Sequence, residues 1–260
     1  MTYIISIANE KGGVAKTTTT LSLGAALAET GLEILLVDLD AQSNLSLAVN
    51  AENNPSLPTM ANVILEGLPA RSALRETQIP RLKIIPSNAE LGLAERFLPI
   101  RQAYETTRSR AFRDINWEFD FIIMDCPPFL GAVSYNAMMA SDLLLMPTQA
   151  EYFSINALRN MMGLIRRIRV QGNPRLTYRL LLTMFDRRNR IHRSMTEQLR
   201  STFGGGVLET VIEIDTKLRE SPIAGVPILV HAPKSRSALQ YRALAQEILT
   251  YVKETASQPD

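Results

Sequence analysis

At 260 residues, with 46% hydrophobic and 21% charged side chains, the chain is long enough to bury a substantial core and fits one α/β domain over residues 1–260. Cys126 is the only cysteine, which excludes an intrachain disulfide and argues against a cysteine-built metal cluster or redox chemistry. The net charge of +2 hides an asymmetry: residues 159 to 200 hold eleven Arg against Asp186 and Glu197, so this segment carries +9 and the remainder −7.

The chain passes from Met1 and Thr2 directly into Tyr3-Ile4-Ile5-Ser6-Ile7-Ala8, without the basic flank and long apolar core of a signal peptide. No apolar run approaches the roughly 18 to 20 residues that span a bilayer, so the sequence predicts a soluble cytoplasmic protein. Strand-length apolar runs begin near Tyr3, Ile34, Leu82, Phe119, Asp142, Tyr178 and Val207 and alternate with stretches of helical period. That alternation predicts an α/β fold, a mostly parallel twisted sheet of about seven or eight strands with helices on both faces. Thr17 to Glu29 reads as a helix, with Gly31 just past its end. Residues 50 to 81, broken by Pro55, Pro58, Pro69 and Pro80, predict an irregular excursion over the sheet edge with short helices at Met60 to Leu65 and Arg71 to Arg75. A last helix over Ser237 to Glu254 presents Leu239, Leu244, Ile248, Leu249 and Val252 to the sheet, and the polar tail from residue 256 to 260 reads as frayed.

The strongest signal is Asn9-Glu10-Lys11-Gly12-Gly13-Val14-Ala15-Lys16-Thr17-Thr18, between the first strand and the first helix. A loop there points backbone N–H groups and the positive end of the helix dipole at a polyphosphate. Lys16 is placed to reach the β and γ phosphates, Thr17 to ligate Mg²⁺ and Thr18 to bond near the α phosphate. Alone, the decapeptide also reads as a glycine turn followed by an exposed Lys and a helix-capping Thr. The ordinary G-x-x-x-x-G-K-[ST] pattern is not met, because Glu10 and Ala15 stand where it demands glycine. Two further runs, Leu35-Leu36-Val37-Asp38-Leu39-Asp40 and Phe121-Ile122-Ile123-Met124-Asp125, each place Asp at the C-terminal end of a strand, where an open parallel sheet binds ligands.

Lys11-Gly12-Gly13 ahead of Lys16-Thr17-Thr18 resembles the deviant Walker A motif of the ParA/MinD family of P-loop ATPases, and the likeness spans nearly the whole chain. The resemblance implies ATP and Mg²⁺ as cofactors and a homodimer with ATP sandwiched between the copies. It makes Lys11 the lysine that reaches across to the partner's phosphates, and Gly12, Gly13, Val14 and Ala15 the rest of the cradle. The Asp38 run resembles the family's Walker A′ motif and implies that Asp38 orients or deprotonates the attacking water, with Asp40 nearby in the Mg²⁺ and switch region. The Asp125 run resembles Walker B and implies an outer-sphere Mg²⁺ partner. With only Asp38 as base, hydrolysis is expected to be slow. Met184 and Asp186, with Asp215, fall where family members contact adenine, although Glu213 and Asp215 depart from the Pro and Asn often found there. Ala150-Glu151-Tyr152 matches the partition ATPases in particular.

That resemblance also implies non-specific DNA, nucleoid association and a ParB-like or other cargo adaptor that stimulates hydrolysis. Arg187, Arg188, Arg190 and Arg193 are DNA candidates from the basic segment, and Lys217, Arg219, Lys234, Arg236 and Arg242 are candidates by resemblance. The basic segment reads either as a solvated Arg-rich face or as a polyanion footprint. The last helix carries Glu247 and Glu254, which disfavours membrane binding of the MinD kind. A cluster-bridged nitrogenase iron protein is excluded by the single cysteine. A DNA-independent positioning switch and an ATP-dependent ligase of dethiobiotin synthetase type are the rival functions.

Overall fold

The structure, a computed structural model, describes residues 2–51, 56–98, 112, 114–152 and 154–256. Strands β1 (Tyr3–Ile7), β2 (Ile34–Asp38), β3 (Arg75–Glu76), β4 (Leu82–Ile85), β5 (Phe121–Asp125), β6 (Leu143–Gln149), β7 (Thr177–Phe185) and β8 (Val207–Glu213) form one sheet in the order β3-β4-β2-β5-β1-β6-β7-β8. Only the β3–β4 pair is antiparallel. The central strands are unbroken apolar runs because both faces of the sheet are covered: every residue of β2 and β5 is buried. From β1 the chain crosses β5 to reach β2, whereas from β5 it crosses β1 to reach β6, so connections leave the central strands in opposite directions. A crevice opens at the C-terminal ends where they diverge.

Helices α1 (Lys16–Ala28), α2 (Asn44–Ala48), α9 (Ile228–His231) and α10 (Arg236–Ala256) cover one face. Helices α3 (Met60–Leu65), α4 (Leu91–Phe97), α5 (Ala132–Met139), α6 (Ser154–Gln171) and α7 (Arg190–Phe203) cover the other, and the short α8 (Thr216–Glu220) lies beyond β8. Helix α1 sits unusually close to the sheet because Gly24 has no side chain; a Cβ there would lie 2.6 Å from Leu36 Cδ2. Gly31 ends the helix with φ +93°, as its position in the sequence implies. Glu247 anchors α10 to β8 by accepting from the backbone N–H groups of Glu209 and Thr210 at 2.7 and 2.9 Å.

Two local expectations change. The predicted helix at Arg71 to Arg75 is a 3₁₀ turn over Ala70–Ala73, and Arg75 instead opens the edge strand β3, paired with Ile84. In α10 the buried seam is Ala238, Tyr241, Leu244, Ala245 and Ile248, while Leu239 is exposed and Leu249 and Val252 are half-buried. Tyr241, 0% exposed, sets that seam, and Leu239 lies two residues away, on the far side of the helix. Pro55 and the tail beyond residue 256 lie outside the described residues. Among the described residues no helix is long and apolar enough to cross a membrane.

Leu36 is fully buried against Gly24 of α1, so Leu36→Ala should leave a cavity at the sheet–helix contact. A loss of about 2–5 kcal/mol is expected, read as a lower urea midpoint with unchanged m-value.

Candidate functional site

The residues between β1 and α1 wrap the N-terminus of α1 at the crevice. Asn9, buried at the end of β1, fixes the start of this loop: its Nδ2 donates to Pro147 O at 2.7 Å and its Oδ1 accepts from Lys11 N at 3.0 Å. Thr183 of β7 ties down the middle by donating to Val14 O at 3.0 Å. Gly13 and Ala15 both have left-handed backbones, with φ of 70° and 68°. No side chain caps α1, so its first N–H groups point into the crevice without a protein acceptor. Lys16 is 8% exposed, and among the described residues its ammonium donates to the Asn9 and Lys11 carbonyls at 3.3 and 3.2 Å. Burial lowers its pKa, opposed by the charge of Asp125. A buried ammonium and an uncapped helix start on one hollow make an anion site, and its donors suit a polyphosphate.

The two strand-end carboxylates face each other across adjacent strands, Asp38 being in register with Asp125. Burial pushes Asp38 up to about 6, against the pull of its hydrogen bonds to Ser46. Its Oδ1 accepts from Asp40 N at 3.0 Å, and its Oδ2 accepts from Ser46 N and Ser46 Oγ at 2.9 and 2.7 Å. Ser46 Oγ also accepts from Ser87 N at 3.0 Å, which joins the ends of β2 and β4 through α2. Burial, and then the Asp38 charge, push Asp125 up to about 8. Thr20 Oγ1 donates to Asp125 Oδ1 at 3.3 Å and the Thr17 hydroxyl also acts on this carboxylate, while among the described residues the buried Asp125 Oδ2 is left without a geometric hydrogen bond. That unsatisfied oxygen, beside Lys16 and the Thr17 hydroxyl, fits the outer shell of a hydrated cation. Among the described residues no group of three or more His, Cys, Asp or Glu could cage a metal ion. A cation here would therefore rest on Thr17, water and ligand oxygens, with Asp40 on the rim and Asp38 occupied by Ser46 and Asp40 N.

Lys11 turns away from the cradle. Its ammonium donates to Gln149 Oε1, at the end of β6, at 2.8 Å and to Glu151 Oε2, just past it, at 2.5 Å, with the lysine side chain 30% exposed. Gln149 also donates to Gly13 O at 3.4 Å and to Met184 Sδ at 2.9 Å, joining the loop to β7.

From the loop a cleft of about 650 Å³ runs past Gly12, Thr18 and Asp40 to an apolar end formed by Met184, Ile212, Ile214 and Leu218. Met184 and Asp215 both line this cleft. Asp215, however, uses its carboxylate to cap α8 through Lys217 N at 3.0 Å and to hold Ser237 Oγ at 3.0 Å. Asp186 faces a second pocket rather than the cleft, because Arg188 grips it with two bonds of 3.1 Å, which also lowers its pKa to about 2. Val14 is buried beneath the loop. Of the basic candidates, Arg190, Arg193, Arg219 and Lys234 are exposed with no ion pair described for them. Lys217 pairs with Glu220, and Arg187 and Arg236 both pair with Glu213. Arg242 is bidentate to Glu29 at 2.6 and 2.9 Å and bonded to Pro233 O, so it braces the end of α1 against α10. Asn9, Ser46, Ser87 and Gln149 carry no role legible in the sequence, although Asn9 and Gln149 both stand at the C-terminal ends of apolar runs, where strand-end logic points.

Polyphosphate recognition at the N-terminus of the first helix, at the C-terminal edge of a parallel sheet, places the chain in the class of P-loop nucleoside triphosphatases. The AAA domain family matches residues 2–178. The chain is 34% identical over 256 residues to the chromosome partitioning protein ParA of Caulobacter vibrioides, covering 95% of this chain and 94% of that one. It is 34% identical over 249 residues to the sporulation initiation inhibitor protein Soj of Bacillus subtilis, covering 95% and 98%. The structure also superposes on cobyrinic acid a,c-diamide synthase from Mycobacterium smegmatis, solved with a bound ATP analog and magnesium, with TM-score 0.86, 30% identity and coverage of 100% and 99%. The chain belongs to the ParA/MinD family of P-loop ATPases.

Ala15 holds a left-handed backbone with φ 68°, which disfavours an L-residue by about 1–2 kcal/mol in the folded chain. Ala15→Gly should raise Tm by about 2–4 °C while leaving ATP affinity within about twofold, measured by thermal unfolding and nucleotide titration.

Proposed function

We propose that the chain is an ATP-dependent dimerising switch that binds non-specific DNA in its ATP state, positions or segregates a cargo, and is reset by slow, partner-stimulated hydrolysis. The observation that carries this reading is the placement of two lysines on one loop. Lys16 is buried inside its own cradle, whereas Lys11 stands on the rim, outside it, paired with Glu151. A polyphosphate in this cradle has no need of a second, outward lysine; a facing copy does, since two polyanions approaching across an interface require added positive charge.

Bound ATP supplies the phosphoanhydride and Mg²⁺ its charge neutralisation. The chain's own residues do the rest. Thr17 and the free oxygen of Asp125 hold the cation's shell, and Lys16 holds the terminal phosphates. Asp38, fixed by Ser46 and Asp40 N, orients water and takes a proton at its carboxylate. Burial raises Asp38 to about 6, so it is largely ionised at neutral pH and more basic than an ordinary Asp, but both its oxygens already accept hydrogen bonds from Asp40 N and Ser46, which accords with slow turnover and a dependence on a partner. Arg190, Arg193, Arg219 and Lys234 offer exposed charge to phosphates, together with Arg187, Arg188 and Arg236 at the second pocket.

A second reading is a metabolic ATP-dependent enzyme, favoured by the likeness to cobyrinic acid a,c-diamide synthase. It leaves the outward Lys11 without a task. One titration separates the two: a non-specific duplex against wild type and Lys11→Ala, with ATP, ADP or no nucleotide, at 50 and 200 mM salt. Binding by wild type in ATP alone, weakened about 100-fold or more at the higher salt, is expected. Lys11→Ala should bind ATP yet lose both the dimer and the duplex. Nucleotide-independent or absent DNA binding, with ATP still hydrolysed, would remove the DNA reading.

A further inference from the structure

Beside the nucleotide cleft lies a smaller pocket of about 440 Å³, between residues 185–188 after β7, the end of β8 and Arg236. The two hollows share a wall, since Glu213 and Ile214 line both. Glu213 is buried, 6% exposed, while the side chains of Arg187 and Arg236 above it are 76% and 54% exposed. Arg187 Nε donates to Glu213 Oε1 at 2.8 Å, and Arg236 Nη1 lies 3.1 Å from Oε2. Arg236 Nη2 donates to Ile214 O at 2.5 Å. Behind them, Gln240 Nε2 donates to Glu213 Oε1 at 2.9 Å and Gln240 Oε1 accepts from Glu213 N at 3.0 Å.

One buried carboxylate thus holds two guanidinium groups side by side, each with N–H donors left over. Arg188 stands on the same pocket, and three Arg against Glu213 and Asp186 leave it net positive. Rigid, paired guanidinium forks suit a tetrahedral phosphate and lose less side-chain freedom on binding it. The wall between the hollows also carries the apolar end of the cleft. Met184 enters the cleft with φ 52°, at a register shift between β7 and β8, and the next residue begins the second pocket. Ile214 N donates to Phe185 O at 3.1 Å, so a group seated against Met184 and Ile214 also fixes the frame of Glu213.

We propose that this pocket takes a backbone phosphate of DNA, and that Glu213 is the positioning residue that ties its guanidinium pair to occupancy of the nucleotide cleft. The proposal rests on the DNA-binding reading above and supplies a route from nucleotide to DNA within one protomer. A carboxylate that merely neutralised Arg187 and Arg236 would weaken DNA binding, so its removal would tighten it. Positioning requires the opposite sign.

The test is duplex binding by wild type, Glu213→Gln, Arg187→Ala and the double variant, with a non-hydrolysable ATP analogue at a concentration saturating for each, and without nucleotide. Glu213→Gln should bind about tenfold more weakly with the analogue and be nearly unchanged without it, collapsing the nucleotide dependence; the double variant should be no weaker than Arg187→Ala within about twofold. Arg187→Lys keeps the charge but loses the Nε fork, and should show the same loss as Glu213→Gln without disturbing the buried carboxylate. Tighter binding by Glu213→Gln, an intact nucleotide dependence in both single variants, or losses that multiply in the double variant would overturn the proposal while leaving DNA binding in place. Failure of wild type to bind the duplex with the analogue would overturn the DNA reading and this proposal together.

Discussion

The site depends on how opposite charges are kept buried in one crevice. Lys16, Asp38 and Asp125 are all removed from water, and each shifts toward its neutral form as a result. Asp38 is relieved by backbone and Ser46 donors, but Asp125 Oδ2 and the Lys16 ammonium are left with incomplete sets of partners. A structure that leaves such groups short of partners stores an electrostatic deficit that an anion and a cation entering together cancel. The loop, the strand ends and the first turn of α1 are shaped around that deficit, and the choice of residues at Gly13, Ala15 and Thr17 follows from it.

The sheet makes the deficit possible. Opposite crossover directions on either side of β1 free the C-terminal ends of β1, β2 and β5 from covering chain, and the strict parallel register sets Asp38 beside Asp125 and Ile7 beside Asp125. Cross-links then hold the loop to strands remote in sequence: Asn9 to Pro147, Gly13 to Gln149, Val14 to Thr183. The ends of β7 and β8 supply the apolar end of the cleft, next to the loop's anchor at Thr183, so both ends of the cleft are built on one rigid edge.

Much of this was legible in sequence because it is local. The seven main strands, α1 with Gly31 at its end, the phosphate loop and the two strand-end acids each declare themselves within about a dozen residues. What escaped is non-local. Ser46 lies in an ordinary polar stretch, and only the folding of α2 onto β2 puts its hydroxyl between Asp38 and Ser87. Asp186 follows an apolar strand just as Asp38 does, yet the register shift at Met184 and the grip of Arg188 turn it to the other side of the wall. Arg242 reads as one more surface cation until Glu29, 213 residues away in sequence, claims it. Edge strand β3 is two residues long and carries no period of its own; its pairing with β4 alone defines it.

In the proposed dimer, Lys11 is a cation held within one chain and offered to another. Its pair with Glu151 is short, but both side chains remain partly in water, at 30% and 46% exposure. Ion pairs of that kind contribute about 0–1 kcal/mol, because solvent already screens each charge. Contact with a polyphosphate in a closing interface is desolvated and carries more than one negative charge, so exchanging Glu151 for that partner is favourable only once the facing cradle is filled. An empty facing cradle, ringed by its own Lys16 and helix N-terminus, repels Lys11 instead. The weak pair therefore works as a filter in the proposed dimer: it costs little to break, and nothing but a bound nucleotide on the other side repays breaking it.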